Sequence, residues 1–191
     1  MTFTEIIYGI IFQPAPTLKY LSGNKPLILG LAAFSVAAVW NMIISLGMDN
    51  ARGFSAALPE GYIGVYLFIG LLISLSVLGV SAAVYSLLGE IIYKQANGRG
   101  ILTCLAFAFV PGVLGPPLQY ATTLLNFSYL NFNISIFTFI WVVVLQIIGI
   151  REALVIQTGQ ALLVFVLPWL IFMVLIFILV LLLGLVMPGI I

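Results

Sequence analysis

Residues 161–187 read ALLVFVLPWLIFMVLIFILVLLLGLVM, twenty-seven consecutive positions without a charged side chain. As a helix this run is about 40 Å long, more than the roughly 30 Å hydrocarbon core of a bilayer. It holds almost no small residues. Close helix–helix approach in lipid relies on such residues, so most of its surface is expected to face lipid rather than other helices. One stretch therefore makes the chain a membrane protein, and the rest of the sequence is read outward from it.

Upstream, Thr158 and Gly159 mark a turn, with Thr158 placed to cap the helix that follows. Arg151 and Glu152 end the apolar run before it. The same reasoning yields five apolar spans at about 26–47, 62–93, 101–124, 133–150 and 160–187. Pro26 suits the first position of span one. The polar stretch DNARGFSAALPEG (49–61) closes it as a loop, and Asn97 to Gly100 form a tight polar turn before span three. NFSYLNFN (126–133), rich in asparagine, reads as a loop before span four. Tyr66 and Tyr85, nineteen residues apart and so about 28 Å along a helix, are placed to sit at opposite interfaces.

Composition agrees with this reading. Of 191 residues, 64% are hydrophobic and 6% charged, against about 25% charged in soluble domains, so no polar shell can be built. The expected fold class is all-α, a polytopic membrane bundle of five transmembrane helices with a short N-terminal interfacial helix. Residues 1–191 form one membrane domain. A net charge of +1 gives no basic field for nucleic acid. Cys104 is the only cysteine and lies in an apolar run, which makes it a small buried hydrophobe and excludes an intrachain disulfide. Histidine is absent, removing the commonest general base and metal ligand. Ser74, Ser76, Ser81, Thr103, Thr122 and Thr123 have no histidine or lysine base in their spans. No catalytic site, metal or cofactor is implied.

In residues 1–25, Phe3, Ile6, Ile7, Ile10 and Ile11 recur at helical spacing, with Thr4, Glu5 and Tyr8 opposite. This predicts a short helix in the membrane interface, stopped by Pro14 and Pro16. The segment has neither a basic leader nor a small-residue cleavage site, so it is not read as a signal peptide. Lys19, Lys25, Lys94, Arg99 and Arg151 fall on one side of a five-span layout and Arg52 on the other. Positive charge marks the cytoplasmic side, so the expectation is a multi-pass protein of the cell membrane with a cytoplasmic N-terminus and its C-terminus on the far side.

Two groups of residues stand out. Glu90, Lys94, Arg99, Arg151 and Glu152 gather at the cytoplasmic ends of spans two to four. There they are candidates for pairing with one another and for contact with a partner or a lipid head group. Glu90 adjoins a face of small residues, Gly79, Ala82, Ala83, Ser86 and Gly89, along which another helix could approach. The second group, Pro111, Gly112, Gly115, Pro116 and Pro117, lies inside span three. Each proline removes a backbone donor, so a kink or break is expected, packed against neighbouring helices. No span has an acid or base near its centre, which argues against proton-coupled transport and voltage sensing.

IIFQPAPTLKYLSGNKP (10–26), NGRGILTCLAFAFVPGVL (97–114) and IGIREALVIQTGQALLVFVLP (148–168) occur in that order. With the five-span layout, they resemble the YIP family, Ypt/Rab-interacting five-helix membrane proteins, in its bacterial or archaeal branch. The likeness covers nearly the whole chain. Eukaryotic members carry a longer cytoplasmic N-terminal region and bind small GTPases during vesicle traffic; here that region is short, a departure from their pattern. The resemblance implies a non-enzymatic membrane scaffold or partner-binding protein, in membrane organisation or trafficking. Its partners would be membrane lipids, a protein at the cytoplasmic face and further copies of itself. The alternative is a pore or carrier for a small or lipidic molecule, using the broken third span.

Overall fold

The computed structural model describes residues 1–51, 60–125 and 127–186. Among them there is no strand, and eight α-helices carry the chain: α1 (Phe3–Phe12), α2 (Pro14–Asn24), α3 (Leu27–Ala51), α4 (Ile63–Tyr93), α5 (Gly98–Ala108), α6 (Gly115–Leu124), α7 (Ser128–Leu154) and α8 (Thr158–Val186). Five stretches are long and apolar enough to cross a membrane: Leu27–Met48, Ile63–Tyr93, Gly98–Thr123, Tyr129–Leu154 and Thr158–Leu182. The third consists of α5 and α6 joined through a 3₁₀ segment, Val110–Leu114. The fold is thus an all-α bundle of five membrane-length helical stretches with a short N-terminal helix. Most of the loop read at 49–61, including Arg52, lies outside the described residues, as do Asn126 and Met187.

The bundle is built around α5. Ile101, Cys104, Leu105, Ala106, Phe107 and Ala108 are all buried, enclosed by α2, α3, α4 and α7. The approach of α7 depends on Gly149, where a Cβ would lie 3.0 Å from the Cβ of Cys104. The Cys104 thiol donates to the Leu18 carbonyl (3.4 Å), so its role is packing. At the other extreme, α8 buries Ala161 and Val164 near its start, whereas the large side chains from Trp169 to Leu182 are all exposed. Lipid is their natural cover.

The N-terminal helix differs from a simple interfacial one. Ile6, Gly9 and Ile10 are buried, and Gly9 lies so close to Thr17 of α2 that a Cβ would come within 2.3 Å of the threonine hydroxyl. Phe3, Ile7 and Ile11 instead line an apolar cavity with α3 and the 3₁₀ segment. The five apolar residues therefore divide between two neighbours, and Thr4, Glu5 and Tyr8 stay exposed. Helix α2 packs along α5 and α7, with Leu18 and Leu21 fully buried. One end lies at Ser22, whose hydroxyl reaches the Glu152 carbonyl (3.4 Å). At the opposite end, where α1 meets α2, Ile11 shares a cavity with Pro111 and Leu114. Each helix is about 15 Å long, half the hydrocarbon thickness. Together they form a hairpin whose tip, Gln13–Pro16, sits beside the break in the third span.

Proline makes both places tolerable at membrane depth. The first turn of a helix leaves N–H groups without partners, and each such group costs several kcal/mol in hydrocarbon. Pro14 and Pro16 carry none, and Thr17 N–H and Oγ–H both donate to the Gln13 carbonyl (3.4 and 2.9 Å). Pro116 and Pro117 serve α6 likewise. Gly112 N–H donates to Phe109 O (3.0 Å), and Gly115 N–H to Gly112 O. The break is thus closed by 3₁₀ hydrogen bonds and by missing donors.

Two local expectations differ from the structure. NFSYLNFN is mostly helix, because α7 starts at Ser128; Asn133 donates to the Tyr129 carbonyl (3.0 Å) and Asn131 to Thr123 Oγ1 (3.1 Å), so the amides are satisfied without a loop. Tyr85 points inward, 7% exposed, with its ring stacked on Phe165 at 5.9 Å. It belongs to the buried stripe Leu78, Ala82, Tyr85, Gly89, whose spacing puts it on the core face of α4.

Candidate functional site

Helices α2, α4 and α7 each end in a left-handed residue, Lys25 (φ 50°), Lys94 (φ 59°) and Val155 (φ 56°). The contacts among these ends place them on one face with the starts of α5 and α8. Lys25 N–H donates to Leu21 O (2.9 Å), Lys94 N–H to Glu90 O (3.1 Å) and Ile156 N–H to Arg151 O (3.2 Å). Three helix C-termini carry partial negative charge here, and Lys25, Lys94 and Arg151 complement it.

The face is fastened by polar side chains at the starts of α5 and α8. Asn97 caps α5 by accepting from Gly100 N–H (3.1 Å) and donates to the Ala153 carbonyl of α7 (3.0 Å). Gln157, rather than Thr158, opens α8: its carbonyl accepts from Ala161 N–H (2.9 Å), and its own N–H donates to Gln160 Oε1 (2.9 Å). Thr158 Oγ1 instead accepts from Arg151 (3.3 Å). Asn97 before Gly-Arg-Gly carries an N-cap signature, but nothing local predicts its second bond to α7, fifty-six positions away.

The five candidate charges divide in two. Arg151 and Glu152 form an ion pair, with Nε to Oε1 at 3.0 Å and a second short contact from the guanidinium. Their side chains are 28% and 17% exposed, and the pair belongs to the α7–α8 connection. Glu90, Lys94 and Arg99 are exposed and make no ion pair among the described residues. The small-residue face divides as well. Gly89 is buried where a Cβ would lie 2.7 Å from Leu154, and Ala82 is buried, whereas Ala83 is exposed and Gly79 has no close neighbour.

Pro111 and Gly112 lie in the 3₁₀ segment, and Gly115, Pro116 and Pro117 start α6. Cavities of about 600 and 430 Å³ adjoin Pro111 and Leu114, with almost wholly apolar walls. No grouping of three or more metal-ligating side chains occurs among the described residues.

A buried α5, four further helices of membrane length and a set of helix ends fastened on one face define a multi-pass helical membrane protein. The family model for the Yip1 domain matches residues 8–182, and the chain belongs to this family of membrane proteins. No curated protein and no solved structure matches the chain.

Proposed function

We propose that residues 1–191 act as one non-enzymatic membrane domain, a scaffold that holds a protein partner at the face formed by Glu90, Lys94 and Arg99. One observation carries this reading: of the five charges gathered there, two pair with each other and three remain exposed and form no ion pair among the described residues. Exposed charges that form no ion pair are available to steer and register a partner. The excess of Lys and Arg on this face supports placing it, and the N-terminus, in the cytoplasm, with the protein in the cell membrane. Membrane organisation or trafficking is the process that family membership favours.

The test is affinity purification from cells expressing Glu90→Gln, Lys94→Gln and Arg99→Gln together. These exposed changes should cost no more than Lys94 contributes at its helix end, about 0.3–1 kcal/mol, and should remove co-purifying proteins. An unaltered set of partners would refute the reading. Arg151→Ala is the contrasting variant and should lower stability by about 1.5–3 kcal/mol.

A second reading, a pore or carrier for a small or lipidic molecule, draws on the two cavities beside Pro111. Liposome flux that disappears in the Pro111→Ala, Pro116→Ala, Pro117→Ala variant would favour it over the scaffold.

A further inference from the structure

A third cavity, of about 370 Å³, lies among α3, α4, α5, α7 and α8 and has different walls. Its inner side is formed by buried Phe34, Leu78 and Leu105. Its mouth is formed by Ile73, Val77 and Trp169, which are 58%, 60% and 62% exposed. It therefore opens sideways, between α4 and α8, into lipid. Five side chains with hydrogen-bonding capacity line it, Ser74, Ser81, Tyr85, Gln146 and Trp169, and the Trp169 indole pairs with the Tyr85 hydroxyl. Ser81 and Gln146 make no side-chain hydrogen bond among the described residues, unlike Ser74, Ser76 and Ser35, which bond to the carbonyl four residues back in their own helices. Ser81 and Gln146 are only partly buried, so their polar groups are open to whatever occupies the cavity.

We propose that this chamber binds an uncharged membrane lipid whose head carries hydroxyl and ester groups, a diacylglycerol. Four observations select that class. No Asp, Glu, Lys or Arg lines the chamber, so a charged head would be left uncompensated. The lateral mouth admits molecules dissolved in the bilayer rather than in water. Leu78 is the midpoint of α4, and Gln146 lies about 12 Å along α7 from its end at Leu154. Phospholipid heads, held at the interface about 15 Å from the midplane, do not reach that depth, whereas a lipid without phosphate does. Finally, 370 Å³ holds roughly a dozen non-hydrogen atoms at about 30 Å³ each. That accommodates a glycerol with its ester carbonyls and leaves the acyl chains to pass out through the mouth. The Gln146 amide can donate to an ester carbonyl, and the Ser81 and Tyr85 hydroxyls can each donate or accept.

The test uses the full chain in proteoliposomes of dioleoylphosphatidylcholine with a diacylglycerol probe bearing a diazirine near its ester, and mass spectrometry of the labelled peptides. Labelling should fall on α4, α5 and α7 around Ser81, Leu105 and Gln146. Unlabelled dioleoylglycerol should compete it away, and dioleoylphosphatidylglycerol should not. Gln146→Leu with Ser81→Ala should reduce labelling by about tenfold, as expected for two lost hydrogen bonds, at an unchanged melting temperature. Val77→Trp, at the exposed mouth, should block labelling without touching the polar groups. Labelling spread along the outer face of α8, equal competition by the phospholipid, or full labelling with Val77→Trp would each overturn the proposal. Should the double variant fail to fold, the competition and the Val77→Trp arm decide.

Discussion

Val155 is a β-branched residue held at φ 56° and 86% exposed, in a conformation such side chains rarely adopt. It is there because α7 must stop within one residue for Ile156 and Gln157 to start the path into α8. Strain of this kind costs on the order of 1 kcal/mol. Val155→Gly should therefore stabilise the protein by about that amount, raising the melting temperature in detergent by about 2–4 °C. A fall would mean that the exposed Val155 side chain makes a contact worth more than the strain. Asn97 is the opposite case, one side chain closing two helices at once. Asn97→Ala loses the cap on α5 and the bond to Ala153, and should destabilise by about 1–3 kcal/mol. Asn97→Asp keeps the acceptor for Gly100 and loses the donor to Ala153, so its melting temperature should fall between those of the other two.

At the scale of elements, the prolines decide. Proline inside an ordinary helix is a fault whose removal stabilises. Here the prolines begin helices inside the membrane, so replacing them adds N–H groups with nowhere to donate. Pro116→Ala with Pro117→Ala should lower the melting temperature. A rise would show that α5 and α6 are strained apart rather than built apart. Gly9→Val should separate α1 from α2 through the Thr17 clash. In a Cys104→Ser background, a thiol placed by Ile10→Cys should then change from unreactive to reactive toward a membrane-permeant maleimide.

The Pro/Gly run in the third span was legible because proline chemistry is local. So were the five apolar stretches, since uninterrupted hydrophobicity needs no knowledge of neighbours. The hairpin was not legible. Ile6 and Ile10 read equally well as facing lipid or protein, because both are apolar solvents for isoleucine. Tyr85 failed for the same reason: its spacing from Tyr66 fits an interface pair, and only the stripe it shares with Leu78 and Ala82 turns it inward. Of the candidate charges, the gathering was legible from span order alone. Which of them pair was not, because Arg151 meets Glu152, its immediate neighbour, and leaves Glu90 and Arg99 exposed. Gln146 carries a signal of its own, an amide in the otherwise apolar WVVVLQIIGI, where membrane depth makes any polar side chain notable.

For the whole molecule, the arrangement of charge makes orientation testable. A reporter fused after Ile191 should read as extracytoplasmic and a tag at the N-terminus as cytoplasmic; the reverse result would place the Glu90 face outside the cell and remove its proposed partners. The bundle is also unevenly held. Residues 1–25 and α5 are packed into the core, whereas α8 leaves it after its first turns, with Pro168 inside the helix near the point of departure. Beyond Trp169 its large side chains are all exposed as far as Leu182, so the surrounding lipid sets its inclination. A hydrophobic stretch longer than the bilayer tilts to fit it. In bilayers made successively thinner, spin labels near Leu179 should report α8 leaning further over while those on α5 stay still. The last helix would thus act as a gauge of membrane thickness, attached to a body that does not deform with it.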